Sequence, residues 1–371
     1  MMTLELGGRH ITFGIVEMPK PELDWTSPLL TEAVLIKVEA VSCNFRDRSY
    51  VAIVHDQLTN NPQIPAAHFG SDFAGIVVEK GSGVTGIDLG DRVIPSMTYG
   101  SEHAGGIPTN RATQGWLVLS QRSVTLAPEA WSVAQSAAAS LGAQTARAMA
   151  RRSGVKPGND VLICSGRSST SQFLVQILRS MGIDSVISSS SVWSENEVEA
   201  LNRPLFDYTN CQNTSPGNSE QSATNSVSTS ERRGTTVLSP VGLNELEPGS
   251  FDVVFDPFAD LHLARSIELL RSYGTYISCG FVRQYHQEEY FPPMELSSLR
   301  LIQIMVAKNL TIIGNCLGED RDLAQGLELL GNGSGVPLDS EWEIDETSEF
   351  LRRSFGTEKP ILGKVVLHYD S

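Results

Sequence analysis

Gly158-Asn159-Asp160-Val161-Leu162-Ile163-Cys164-Ser165-Gly166-Arg167-Ser168-Ser169-Thr170-Ser171-Gln172-Phe173-Leu174-Val175-Gln176-Ile177-Leu178-Arg179-Ser180-Met181-Gly182 is the stretch whose reading decides the fold. A short apolar run, Val161 to Ile163, gives way to small polar residues. Beyond them Phe173, Leu174, Ile177, Leu178 and Met181 recur at helical spacing. The reading is strand, tight turn, helix. Such a junction gathers free backbone N–H groups and the positive end of the helix dipole at one point, which suits a phosphate.

Glycines are the usual device at a dinucleotide-binding turn. They allow positive φ, close approach of a pyrophosphate and close packing of helix on strand. Counting back from Gln176, the expected positions hold Ser165, Ser168 and Ser171, with one glycine, Gly166, beside the first. Serine stays small and brings a hydroxyl that can bond a phosphate or cap a helix, but its Cβ takes room. Ser165, Gly166, Arg167, Ser168, Ser169, Thr170 and Ser171 thus form a candidate cofactor cradle in which hydroxyls and Arg167 supplement the backbone. The alternative is a strand–helix turn that binds nothing.

Working outward, Ala134–Arg152 is rich in alanine and helix formers and leads through Gly154-Val155-Lys156-Pro157-Gly158 into the strand. Residues 1–130 look strand-rich, with Ala33–Val41, Phe73–Glu79, Arg92–Pro95 and Trp116–Leu119 punctuated by Gly, Pro, Asn and Asp, as in a compact β domain. Downstream, strands Ser185–Ser188, Phe251–Asp256 and Thr275–Ser278 alternate with helices Glu195–Leu201 and Leu261–Tyr273, the rhythm of a parallel sheet. Thr209–Thr236 is Ser, Thr, Asn, Gln and Gly with hardly an apolar residue, so a surface insertion is expected there. The acidic stretch Glu319–Glu349 reads as a solvated face.

At 371 residues the chain exceeds the size at which one core keeps growing, so two domains are expected. A net charge of -15 argues against nucleic acid or an anionic membrane as partner, since both need a basic face. Cys43, Cys164, Cys211, Cys279 and Cys316 are scattered, odd in number and without metal-ligand spacing, which fits a reducing compartment. Met1 to His10 contain no apolar h-region, and no apolar run is long enough for a membrane span. A cytoplasmic protein is expected.

Several landmarks fall in one order: Val34-Leu35-Ile36-Lys37-Val38-Glu39-Ala40, Asn44-Phe45-Arg46-Asp47, Gly70 to Glu79, Gly81-Ser82-Gly83-Val84-Thr85 and Gly90-Asp91-Arg92-Val93. The alanine-rich helix with Thr145, Lys156-Pro157-Gly158, Asn309 to Gly314 and Gly363-Lys364-Val365-Val366 follow. Together they resemble the medium-chain dehydrogenase/reductase superfamily, in its zinc-free quinone-oxidoreductase and enoyl-reductase branches. The resemblance implies an α/β fold: a GroES-like β-rich substrate domain from residues 1–130 and 301–371, and a Rossmann domain with a doubly wound parallel sheet at 131–300, carrying the insertion 209–236. A nicotinamide would sit in the cleft between them.

Zinc-dependent relatives place a cysteine where Asn44 stands and a histidine where Ser71 stands. Amide and hydroxyl are poor zinc ligands, and Met97 to Leu119 contains no cysteine for a structural zinc lobe, so no catalytic zinc is expected. The serine-substituted turn is similar to that of fungal trans-acting enoyl reductases, which use NADPH. Ser188, Ser189 and Ser190 stand where NAD-specific enzymes put an acid, and hydroxyls there suit a 2′-phosphate, so NADPH is the expected cofactor. Tyr208 matches a family position near that phosphate and Thr145 one that meets the nicotinamide. Lys364, in the closing motif, is counted with the cofactor-binding residues.

For an enone or enoyl thioester, hydride on the β-carbon leaves an enolate that needs a proton. Asn44 is a candidate donor to the carbonyl oxygen, its alternative being an amide that satisfies loop backbone. Asp47 is expected to orient its neighbours. His55 stands where many polyketide-synthase enoyl reductases carry a tyrosine facing the substrate; it is a candidate proton donor or a surface residue in a polar loop. Tyr50 and His68 are further candidates of that kind.

The reading is a zinc-independent, NADPH-dependent reductase of an activated C=C bond in an enoyl thioester, enone or quinone. A stand-alone enoyl reductase would take a small-molecule or carrier-bound acyl substrate and serve a partner synthase, and a homodimer follows by family analogy. The alternative is a cofactor-binding or scaffold protein of the same fold without turnover.

Overall fold

The computed structural model describes residues 1–61, 63, 66–97, 106–202, 235–240, 242–282, 297–331, 335–356 and 361–369. In chain order, β1 (Met2–Leu6), β2 (Arg9–Phe13), β3 (Ala33–Ser42), α1 (Phe45–Asn60), β4 (Asp72–Lys80), β5 (Arg92–Pro95), β6 (Trp116–Ser120) and β7 (Val124–Leu126) come first. Next are α2 (Val133–Ser153), β8 (Val161–Ile163), α3 (Ser169–Ser180), β9 (Val186–Ile187), α4 (Glu195–Asn202), β10 (Thr236–Val237), α5 (Gly242–Glu245) and β11 (Phe251–Asp256). They are followed by α6 (Ala259–Leu269), β12 (Leu270–Ser278), α7 (Ser298–Lys308), β13 (Thr311–Gly314), α8 (Asp320–Leu329), β14 (Leu338–Trp342), α9 (Thr347–Phe355) and β15 (Lys364–His368).

Parallel strands in the order β10-β9-β8-β11-β12-β13 make a Rossmann sheet. β8 lies between β9 and β11, reached by connections that leave in opposite directions, so the crevice beyond its carboxyl end is the topological switch point. The serine-rich turn opens there. The other large sheet, β14-β15-β3-β4-β5-β7 with β6 also on β3, is antiparallel apart from β14 on β15. β3 is covered on both faces, which is why its sequence shows no clean alternation.

α2 joins the two sheets. Ser132 accepts from Gln135 N (3.1 Å) while the Gln135 side chain accepts from Ser132 N (2.9 Å), a capping box that fixes the helix start. On one side Ser42 Oγ donates to Ala137 O (2.8 Å) and Leu141 N to Asp72 Oδ1 (3.2 Å). On the other, Gly142 lies so close to α3 that a Cβ would meet the Phe173 ring at 2.3 Å. The alanines leave room for both contacts.

Four expectations need correction. The Rossmann domain does not end at residue 300: β13 pairs with β12 from Thr275↔Thr311 to Ser278↔Gly314, so the chain returns to the GroES-like domain only after Gly314. The helix expected over Leu261–Tyr273 stops at Leu269, because buried Leu270 pairs with Phe251 and starts β12 early, with a register shift before Val253. The polar loop expected around His55 is helix α1. It buries only Asp47 and Val51 fully, so its apolar residues carry no helical period to read. The acidic stretch is not wholly solvated. Asp322 is buried and accepts from Arg151 Nε (2.7 Å), and buried Asp339 accepts from Arg353 Nε (2.6 Å).

Tyr208 and the insertion, apart from Thr235 and Thr236, lie outside the described residues. Among the described residues no helix is long and apolar enough to cross a membrane.

Candidate active site

Two cavities follow the switch point. The larger, about 450 Å³, is lined by residues of both sheets' domains, among them Asn44, Thr145, Thr170, Phe258 and Lys364. The smaller, about 310 Å³, carries Ser188, Ser189, Ser190 and His262 on its walls. Arg167, Ser168 and Phe258 line both.

A buried polar cluster forms the floor of the larger cavity. Lys364 Nζ donates to Asn44 Oδ1 (2.6 Å) and Asp72 Oδ2 (3.1 Å). Asn44 Nδ2 donates to Ser71 Oγ (3.1 Å) and Asp72 Oδ2 (2.9 Å). Ser71 Oγ donates to Asp47 Oδ1 (3.0 Å), and the same carboxylate accepts from Asn44 N (2.8 Å) and the Arg46 guanidinium (3.1 Å). An ammonium can only donate, so the amide oxygen of Asn44 must face Lys364, and that fixes the orientation of the amide. Both amide hydrogens are then engaged inside the cluster. The carbonyl-donor role expected of Asn44 has no hydrogen left in this arrangement, whereas Lys364 has three N–H donors and two partners among the described residues.

Asp47 is fully buried and does not line the cavity. Burial is the largest influence on its carboxyl and pushes its pKa up, opposed by the Asn44 backbone amide and the Arg46 charge. It is a positioning group that holds Asn44 and Ser71.

At the turn, Ser165 adopts the left-handed conformation (φ 52°) that glycine usually supplies, and its Oγ lies 2.8 Å from His262 Nε2. Gly166 permits close packing: a Cβ there would sit 2.1 Å from Ile187 Cγ2, and its N–H donates to Ser188 O (2.7 Å). Ser168 is the N-cap residue of α3, yet no side chain caps the first turn, and the first helical bond runs from Gln172 N to Ser168 O (3.1 Å). The amides of Ser169 to Ser171 therefore precede the ladder. Ser168, Ser169 and Thr170 line the larger cavity. Ser171 does not; it is fully buried, and its Oγ donates to Cys164 O (2.8 Å), tying helix to strand where a glycine would have let them touch.

Arg167 lies over the Trp193 ring (4.7 Å to its centroid) and is held by Ser191 Oγ (2.6 Å) and Glu197 Oε1 (3.1 Å). Among the described residues no acidic side chain lines the smaller cavity. An uncapped helix N-terminus, a guanidinium and a row of hydroxyls fit the phosphates of a dinucleotide. Thr145, on α2, lines the larger cavity at the far end.

His55 lies on α1 and lines neither cavity, and the same holds for Tyr50 and His68. Sequence reading missed His262, Phe258, Cys279 and Cys316, all of which line the cleft. Cys279 directly follows a predicted strand, and that carboxyl end is a signal for a site residue. Burial pushes its thiol up to about 12, with Asp256 and Cys316 adding to the rise. His262 and Phe258 belong to no motif.

The fold, a GroES-like sheet beside a Rossmann sheet, is that of two-domain dehydrogenases and reductases. Residues 31–133 match the alcohol dehydrogenase GroES-like domain. The chain is 30% identical over 188 residues, 50% of its length, to the phenolphthiocerol synthesis polyketide synthase type I of Mycobacterium marinum, of which it covers 8%. It is 30% identical over 165 residues to the trans-enoyl reductase of Gibberella fujikuroi, covering 43% of this chain and 44% of that protein. It thus spans less than half the length of either. The solved structure of the 2-octenoyl-CoA carboxylase reductase CinF, in complex with NADP and 2-octenoyl-CoA, superposes with a TM-score of 0.67 at 20% identity, over 95% of this chain and 81% of that one. That likeness is one of fold. These likenesses, an alcohol dehydrogenase GroES-like domain and a shared fold, lie with the dehydrogenases and reductases.

Proposed function

We propose that the chain is an NADPH-dependent reductase of an activated carbon–carbon double bond and works without zinc. The observation that carries this reading is the pair of adjoining cavities, one walled by serines with no acid among the described lining residues, the other floored by Lys364. Ser168, Ser169 and Thr170 with Arg167 would hold the pyrophosphate, Ser188 to Ser190 the ribose phosphate, and Thr145 the nicotinamide end. A reduced nicotinamide held there supplies the hydride. The chain's part is electrostatic: Lys364, held by Asn44 and Asp72, keeps one N–H donor for a carbonyl oxygen on which negative charge develops. Phe45 and Phe258, in edge contact with centroids 5.1 Å apart, wall the cleft and help exclude water.

Zinc independence is supported by chemistry at the floor. Where zinc-dependent relatives place Cys and His, this chain holds an amide and a hydroxyl beside an ammonium, so a cation would meet poor ligands and a like charge. Relatives named as a polyketide synthase and a trans-enoyl reductase favour an acyl thioester, free or carrier-bound and delivered by a synthase, over a simple enone or quinone. Cysteine usage supports the reducing cytoplasm. For the edge strand β13 and for α7, which buries no residue and exposes Leu299, Ile302 and Val306, we propose a second copy of this chain, a point sedimentation would check.

The test is loss of NADPH absorbance with a panel of enoyl thioesters, enones and quinones, before and after dialysis against a chelator. Turnover of one class, unchanged by chelation, is the expected result. Binding of NADPH without turnover of any would favour a scaffold.

A further inference from the structure

His262 belongs to no motif, yet it stands at the turn on which cofactor binding depends. It lies in the first turns of α6, lines the smaller cavity together with Arg167 and Ser168, and meets Ser165 Oγ through Nε2 at 2.8 Å. Among the described residues its other ring nitrogen has no hydrogen-bond partner. Ser165 is itself held in the left-handed region, so the contact ties the ring to the residue that shapes the turn.

The charged groups around the ring come from three elements. Asp256, at the end of β11, is buried, accepts from Tyr276 Oη (2.7 Å) and Phe258 N (2.9 Å), and attracts a protonated ring. Asp260, on α6 itself, accepts from Val282 N (2.8 Å). Arg167, across the cavity, opposes them but is paired with Glu197. The smaller cavity carries no acidic side chain of its own among the described residues, so an anion entering it would meet Arg167 and His262 without a competing carboxylate on the walls.

We infer that His262 reads the phosphates of the dinucleotide: anchored by Ser165 through one nitrogen, it offers the other as a charge-assisted donor to the pyrophosphate. This rests on the cofactor part of the proposed function. An anion beside an imidazole favours the protonated ring. Binding therefore takes up protons, and affinity falls as pH rises through the imidazole range. The pyrophosphate is common to NADPH, NADH and ADP-ribose, so all of them share the effect, whereas the ribose-phosphate pocket distinguishes only NADPH.

The experiment is equilibrium binding of ADP-ribose and NADH to the whole chain from acid to mildly alkaline pH, by calorimetry in buffers of different ionisation enthalpy. Both ligands lack the 2′-phosphate, whose second ionisation falls near pH 6 and would blur the result. The native chain should bind both about five- to tenfold more weakly at the alkaline end, the loss expected for one charged hydrogen bond, and should take up protons on binding. His262→Gln keeps a neutral donor for Ser165 and should flatten the pH profile and abolish the uptake. Equal pH profiles and equal uptake in the two proteins would overturn the role of His262 while leaving the cofactor reading intact. If neither ADP-ribose nor NADPH binds the folded native chain, both readings fall together. A thermal melt of His262→Gln matching the native one confirms that the comparison is between folded proteins.

Discussion

The two ends of the cleft hold their polar side chains in different ways. At the turn, serines stand where glycines are usual, and each has a single side-chain contact: Ser171 bonds to Cys164 O within the turn, and Ser165 bonds to His262 on α6. At the floor, Asn44 and Asp72 are tied together across the chain by Lys364, from β15. A pairwise arrangement can be tuned residue by residue. A distributed one holds or fails as a unit, because removing one partner leaves the others buried and unpaired.

The largest effect should therefore lie at the floor. Lys364→Met strands Asp72 and Asn44 in a buried site and should cost about 3–5 kcal/mol in urea unfolding. Adding Asp72→Asn should restore part of it. A cost no larger than that of a surface lysine would mean the cluster is not a unit.

At the turn the steepest effect belongs to Gly166. Gly166→Ala places a methyl against Ile187 Cγ2 and should cost about 1–3 kcal/mol, partly recovered by Ile187→Leu, which removes the branch methyl. Full tolerance of alanine would show that the turn and β9 can separate. Ser189→Asp should weaken NADPH about tenfold through like-charge repulsion, with NADH spared. Equal loss of both cofactors would place the ribose phosphate elsewhere.

The smallest effect lies outside the cleft. His368 Nε2 donates to Glu341 Oε2 (2.9 Å), and that hydrogen bond raises the pKa of His368 in the folded chain. A raised histidine contributes stability that is fully present below the unfolded imidazole value and is lost as pH rises through the folded value. The pair is partly exposed, so solvent screening should keep the contribution under about 1 kcal/mol. Stability of the native chain should fall slightly across that window, and Glu341→Gln should remove the slope.

The same contrast governs what could be read in the sequence. Strands such as Phe251–Asp256 and Arg92–Pro95 appear where the residues placed them, because their burial leaves a local apolar signature. The turn was legible for the same reason. α1 was not, since its folding depends on Asn44, Asp47 and their partners from β4 and β15 rather than on an apolar stripe. Lys364 was recognised only as part of a closing motif. Its link to Asn44 spans most of the chain, and no spacing rule connects the two. His262 reaches Ser165 through tertiary packing alone.

On the proposed reading, serine hydroxyls and an uncapped helix do at this turn what glycines do elsewhere. Fluorescence titration of the native, folded chain with NADPH and with NADH tests it most directly. Saturable binding well below millimolar cofactor, tighter for NADPH, is the expected result; no binding of either at millimolar concentration would contradict it.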